Sequence, residues 1–429
     1  MPHPTPWLRP SWPAVLATLT VAALAGCAPA ESGTATDATV FEGARVVVGD
    51  GSAPIDDAVF VVQDGRFTQV GVRGEVEIPG RATHVDLTGK TVIPALVNAH
   101  VHLSVDRPSR TLDLQHMAYY GTGTALSLGL DSGSVAFAMR DERVPDGSRA
   151  LSAGRGITSP EPGRTEVPYW VTTEAEARAA VQELAAQQVD FVKIWVDDRG
   201  GQYERLSPPL YGAVIDEAHR HGLPVTAHIF RLEDAKGLIR AGVDAFAHGV
   251  RDQEIDDELV TLWQAHPNVV LVPNLPDPGV AQDLSWLSGT VPPDELARMQ
   301  DASVDRPAAQ ASFAVQARNL ARLSESGIRI AFGTDGNTPW AVHQEMEDMV
   351  RSGMTPAAVL AAATGTSAAL LGLEDVGTIG VGTSADFVVL NGNPLTDITR
   401  TRAIDRVYLR GVVIDRAALS ARLLGSAAP

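Results

Sequence analysis

Two histidines separated by one residue close the apolar run Val92–His102 (Val-Ile-Pro-Ala-Leu-Val-Asn-Ala-His-Val-His). In a strand, residues two apart project to the same side, so His100 and His102 aim two imidazoles at one point. Neutral imidazole is a ligand for borderline metals such as zinc. An isolated His-x-His pair also arises by chance, but here others follow in order. Lys193 lies in Asp-Phe-Val-Lys-Ile-Trp-Val, on the same strand face as Phe191 and Trp195. His228 ends Pro-Val-Thr-Ala-His, His248 ends Asp-Ala-Phe-Ala-His, and Asp335 ends Ile-Ala-Phe-Gly-Thr-Asp. Each polar residue comes late in an apolar run, just before a loop.

Such residues need a scaffold that gathers strand ends. The helix-like segments between the runs include Glu174 to Gln187, Leu210 to His221 and Leu232 to Ala241. Strands alternating with helices of this length predict parallel β/α units. The expected fold class is α/β, a (β/α)8 TIM barrel over 91–376, whose C-terminal strand ends meet at one mouth and carry the chemistry. Short alternating runs with turns occupy 38–90, where the Asp-Gly pairs at 50–51 and 64–65 are hairpin signals. The pattern resumes over 377–429, so the two flanks are expected to pair into a small β-sandwich. Gly377 to Ala385 would be the re-entry loop.

With these motifs in place, the chain resembles the amidohydrolase superfamily of metal-dependent (β/α)8 hydrolases, in the branch of Xaa-Pro dipeptidases and imidazolonepropionase-like proteins. The resemblance covers roughly residues 38 to 415 and rests on His100, His102, Lys193, His228, His248 and Asp335, in order and in matching strand contexts. It implies two divalent metal ions, expected to be zinc. His100, His102 and Asp335 would hold one, and His228 and His248 the other.

An ammonium has no lone pair and repels a cation, so Lys193 cannot ligate as it stands. Burial and nearby cations lower a lysine pKa, and the neutral amine can add carbon dioxide to give an anionic, two-oxygen carbamate. The resemblance implies this carbamate as the bridging ligand; the alternative is an ion pair of Lys193 with Asp190 or Asp197. Two cations sharing a water generate hydroxide at neutral pH and polarise a carbonyl. Asp335 would act as general base and then acid; its alternative role is to cap a turn between Gly333 and Gly336.

The expected function is hydrolysis of a C–N bond in an amide, cyclic amide or peptide-like small molecule. A mononuclear deaminase or imidazolonepropionase-like ring opener is the second enzyme reading, although Glu233, five residues after His228, is not an obvious match to the glutamate that such deaminases carry. A catalytically inactive exported binding protein is the third. Arg155 and Arg251 are candidate partners for a substrate carboxylate, since guanidinium suits bidentate binding; either could equally pair with a surface acid. Asp197 and Asp198 could meet a substrate amine or be solvated loop acids. The proline-rich stretch 274–306 reads as a lid, with Trp286 over the substrate. Related dipeptidases carry a substrate-contacting tyrosine two positions after the fifth-strand histidine; here that position is Phe230, which puts dipeptidase specificity in doubt. His219 and His221 lie near a helix C-terminus, where cations are favoured, and His84, His116, His266 and His343 have no evident partner.

The N-terminus reads as a targeting segment. Pro13 to Ala25 is apolar but too short to span a bilayer, follows Arg9, and ends in Leu24-Ala25-Gly26-Cys27. This ending resembles a bacterial lipobox, and Cys27 is the only cysteine. The expectation is a lipoprotein signal over 1–27, lipidation of Cys27, a flexible tether over 28–37 and an exported protein held at the membrane by its lipid alone; the alternative is an ordinary signal with an incidental cysteine. A net charge of −18 argues against nucleic acid as a partner. Hydrophobic content of 45% with no long apolar run after the signal indicates a globular body.

Overall fold

A computed structural model describes residues 38–425. The expected signal and tether, Cys27 included, lie outside the described residues. In chain order the first strands are β1 (Ala38–Val46), β2 (Ile55–Gln63), β3 (Arg66–Val72), β4 (Ala82–Asp86) and β5 (Thr91–Pro94). There follow β6 (Leu96–Val101), β7 (Thr122–Ser127), β8 (Arg149–Ser152), β9 (Ile157–Thr158), β10 (Tyr169–Trp170), β11 (Val192–Val196), β12 (Val225–Ile229), β13 (Ala245–Ala247) and β14 (Val270–Val272). The last are β15 (Phe387–Leu390), β16 (Ile404–Leu409) and β17 (Val412–Val413).

The flanks pair as their alternation predicts. Asp64 and Gly65, at φ 52° and 75°, turn β2 into β3, the left-handed pair that suits the twist of a two-residue hairpin. β5 and β15 join the N- and C-terminal flanks, Val92 lying opposite Val389. The outcome is one eight-stranded sheet in the order β17-β16-β15-β5-β1-β2-β3, with β4 on β1, where two packed sheets were expected. β1 forks: Ala38–Glu42 pair with β4, and Arg45 and Val46 pair with β5. The sheet can therefore bend around its core without breaking its ladder. In that core Phe41 lies 5.2 Å from Phe387 and 5.3 Å from Tyr408, ring centre to ring centre.

The central part has two parallel ladders, β6-β7-β8 and β10-β9-β11-β12-β13-β14. Helices Glu174–Ala186, Pro208–Arg220, Leu232–Ala241 and Asp257–Gln264 alternate with the strands. Their ends are written locally. Thr173 and Glu176 form a capping box, and Gly242 stops its helix at φ 90°. Val97, Ala99, Leu126, Phe191, Ala245, Ala247, Val270, Val272 and Ala331 fill the space between the ladders. Ile194, Val196, Val225 and Ala227 belong to the other cluster, with helix residues such as Val181 and Leu184.

The ladders do not merge into a continuous closed sheet. The expected last strand, Ile330 to Asp335, makes a single parallel bridge, Ile330 to Leu271. Its backbone still spans the two ladders: Ala331 N donates to Leu271 O and Ala99 N donates to Phe332 O, at 2.8 and 2.9 Å. The ladder fails where Phe332 N donates instead to the hydroxyl of Ser367, at 2.9 Å. On the other side, Asp190 N donates to Ser152 O, at 2.9 Å, and sets β8 beside β11. The arrangement is α/β and barrel-like in strand order, with a β-rich flank. The stretch 274–306 is not all loop, since it contains the helix Pro293–Ala302.

One buried ion pair ties the helix Arg107–Tyr119 to these strands. Arg110 and Asp131 have no exposed side-chain surface and meet at 2.7 Å. Asp131 also accepts from Ser127 Oγ on β7 and Ser152 Oγ on β8. Arg110→Ala would leave that carboxylate buried without its cation, so urea denaturation should read a loss of about 3–5 kcal/mol. A loss under about 1 kcal/mol would mean that the pair contributes no more than an exposed one.

Candidate metal centre

Strict alternation along β6 would put His100 on the face opposite Val97 and Ala99, which point into the interior. The β6–β7 register shifts between Asn98 and Val101, and that irregularity lets His100 turn inward with them. Three further groups reach the same place by leaving regular geometry. His248 has φ 96°, Asn274 43° and Asp335 53°. Left-handed backbone is costly for non-glycine residues and concentrates where surrounding structure over-determines it, as at active sites.

His100 Nε2 is 3.5 Å, His102 Nε2 2.9 Å and His248 Nε2 3.4 Å from the Asp335 carboxylate. Ligand atoms of His100, His248 and Asp335 all lie within 4.8 Å of one another. The His228 ring is centred 4.7 Å from that of His248. Lys193 is fully buried, and its Nζ has no hydrogen-bond partner among the described residues. Space for it depends on Gly129, where a Cβ would come within 2.8 Å of Lys193 Cγ and 2.7 Å of the Trp195 ring. A cavity of about 300 Å³ opens on the group, lined by His100, His102, His228, His248 and Asp335, with Leu130, Arg164, Thr165, Pro168 and Trp195.

Burial holds His100, His228 and His248 well below the usual imidazole range, and neighbouring cations push the same way. These rings are therefore neutral and carry a lone pair. Burial alone would raise the Asp335 carboxyl, but the ring N–H groups turned toward it, His102 Nε2 nearest at 2.9 Å, hold it below the usual carboxylate range. Desolvation brings Lys193 down to about 7, Asp335 opposing and Arg251 and Arg199 assisting. His100 Nε2, His248 Nε2 and Lys193 Nζ are all buried and make no hydrogen bond among the described residues. Polar atoms left unsatisfied in this way are costly unless something absent from the protein itself completes them. Lone-pair nitrogens around a carboxylate fit a divalent cation.

The ion pair considered for Lys193 does not form: Asp190 accepts from Ser152 N and Asp197 holds Arg199. His228 is beside the cluster but engaged elsewhere. Its Nε2 lies 2.9 Å from Asp197 Oδ2 and 3.2 Å from Arg199 Nη1. Arg199 in turn bonds Glu161, which is 2% exposed and also holds Arg164 on the cavity wall. Arg251 stands close enough to lower His228 and His248, and its Nε and Nη2 are buried without partners. Phe230 is 38% exposed beside Arg251 and does not line the cavity.

Arg155 departs from its expected role. It stacks on Tyr169 at 3.9 Å and donates to Val167 O, bracing the loop behind the wall rather than facing the cavity. Trp286 packs against His343 and Arg402 around a different cavity, because the chain between Asn274 and Pro293 leads away from the mouth. Asp198 pairs with Arg231, and Glu233 with Lys236. Among the remaining histidines, His219 meets Asp244 and His343 meets Thr401. Sequence reasoning missed Asn274, Glu161, Arg164 and Arg199. Asn274 and Arg199 follow strand ends, the one signal that could have marked them.

The Amidohydrolase family profile matches residues 91–414. The imidazolonepropionase of Deinococcus radiodurans is 28% identical over 386 residues, covering 83% of this chain and 92% of that protein. The enamidase of Eubacterium barkeri is 24% identical over 375 residues, covering 81% and 85%. Among solved structures, a Bifidobacterium longum protein assigned as a prolidase aligns with a TM-score of 0.73 and 29% identity, covering 91% of this chain and 99% of that one.

Lys193 gives a pH test. Its folded-state pKa of about 7 lies below the ordinary 10.5, so between those values the unfolded chain binds the extra proton. Stability must then rise with pH across that window, by at most about 1.4 kcal/mol per unit. Chelator-treated protein in CO2-free buffer should show this rise by urea denaturation, and Lys193→Met should flatten it. Equal slopes in both proteins would mean that Lys193 is not desolvated.

Proposed function

The chain belongs to the amidohydrolase family, and from that premise we propose that it hydrolyses an amide, cyclic amide or peptide-like C–N bond in a small-molecule substrate, at the mouth of a (β/α)8 barrel. The observation that carries this reading is the meeting of His100, His102, His228, His248 and Asp335 on one cavity, with the side chain of Lys193 buried among them. His100, His102 and Asp335 would hold one divalent cation, expected to be zinc, and His228 and His248 a second, with a carbamate on Lys193 between them. When bound, such cations supply Lewis acidity, lowering the pKa of water and polarising a carbonyl.

The residues of the chain do the rest. Asp335, ionised and 41% exposed at the cavity, accepts the proton of the attacking water and returns it to the leaving nitrogen. Arg251, with donors to spare, anchors a substrate carboxylate. Trp195 and Leu130 exclude water from one side of the scissile bond. The relatives' names fit this reading, since imidazolonepropionase, enamidase and prolidase all designate enzymes of C–N cleavage.

A second reading, with one cation, draws on a specific contact. Asp197 and Arg199 engage His228 Nε2, while His100, His248 and Asp335 form a compact set without it. We further propose that the chain is exported and lipid-anchored at Cys27.

Asp335→Asn should lower turnover of the best substrate from a panel of N-acyl amino acids, dipeptides and lactams by about 10²–10⁴-fold, with circular dichroism retained and turnover compared at matched metal content. Turnover near wild type removes Asp335 from its role. Metal analysis should find two equivalents per chain, falling to one in Lys193→Ala; a single equivalent in both proteins selects the one-cation reading. For the anchor, Cys27→Ala should move the protein from the membrane pellet to the soluble fraction, and an unchanged pellet would exclude lipidation there.

A further inference from the structure

Asn274 follows β14 at the mouth and is 6% exposed. Its left-handed φ of 43° is tolerated best by Asn, Asp and Gly. The backbone beyond it is held, because Leu275 N donates to both oxygens of buried Glu345, at 3.1 and 3.0 Å. Asn274 Nδ2 lies 2.7 Å from the Nδ1 of one candidate ligand, His100, and donates a longer bond, at 3.4 Å, to Val272 O. Its Oδ1 is buried with no partner. The facing residue must be glycine, since a Cβ on Gly333 would come within 2.7 Å of Asn274 Oδ1, His100 Cβ and Val272 Cγ1 alike.

We propose that Asn274 is a positioning residue that sets the tautomer of His100 and thereby presents Nε2 to the cation. An imidazole that ligates through Nε2 carries its proton on Nδ1, and that proton needs an acceptor. The amide of Asn274 offers two answers. With Nδ2 toward His100 it donates to a bare Nδ1, and the proton sits on Nε2, which faces Asp335 at 3.5 Å. A half-turn of the amide, which exchanges groups of nearly equal size, brings Oδ1 to accept Nδ1–H and frees the Nε2 lone pair. The proton is relocated from Nε2 to Nδ1 by exchange with water, and none is gained or lost. The first orientation suits the metal-free cluster and the second the loaded one.

This inference rests on the proposed cation at His100, so the test includes a readout that needs none. Zinc affinity is measured by chelator competition in wild type, Asn274→Leu and Asn274→Asp. The His100 tautomer is read from nitrogen-15 shifts of histidine-labelled protein, with and without zinc. Asn274→Leu should weaken zinc binding about 10–100-fold, and Asn274→Asp, which keeps an acceptor, should restore most of it. In wild type the His100 proton should move from Nε2 to Nδ1 on loading, and in metal-free Asn274→Leu the fixed tautomer should give way to a mixture. Wild-type affinity in the leucine variant, or the same tautomer in metal-free wild type and leucine variant, overturns the proposal. Failure of wild type to bind zinc would instead strike the two-cation function, leaving the metal-free tautomer comparison to decide the role of Asn274.

Discussion

Buried nitrogen without a partner is the constraint on which this molecule turns. His100 Nε2, His248 Nε2 and Lys193 Nζ are shut away from water and make no hydrogen bond among the described residues. Each such group costs stability comparable to a broken hydrogen bond or more. A fold that was selected only for stability would fill the space with apolar side chains, as the strands do a few residues earlier with Val97, Ala99 and Ala245. Several such atoms gather at this mouth, where a carboxylate and lone-pair groups converge, and a bound cation would remove their cost.

The same place holds a cluster of backbone irregularities. His248, Asn274 and Asp335 have left-handed φ, and so does Arg199, which touches His228. Close packing compensates: Gly129 and Gly333 leave room for Lys193, Asn274 and His100 and for little else. Behind the candidate ligands stand hydrogen-bonded partners that orient them, Asn274 on His100 and Asp197 on His228. Such outer partners decide which ring nitrogen carries a proton and therefore which nitrogen can ligate.

Charge is distributed against the average. The chain carries a net −18, yet Arg164, Arg199 and Arg251 gather on or beside the cavity, interleaved with Glu161, Asp197 and Asp335. Arg199 and Arg164 share the buried Glu161, whereas Arg251 keeps free donors.

The sequence by itself determined the class of elements and the six polar strand ends. Alternation of side chains and the capping of helices are local properties, readable within a dozen residues; Thr173 with Glu176, and Asp64 with Gly65, fold as they read. It could not determine the outcome for single side chains after the strands. Arg155 and Arg251 look alike as loop arginines, yet one braces a wall and the other lies close enough to His248 to act on it electrostatically. The inward turn of His100 depends on a register shift, and its amide partner lies 174 positions away. The bend of the flanking strands into one sheet depends on a fork in β1. These are properties of packing between distant segments, where the shape of the remaining space selects the contact, and only the tertiary structure decided them.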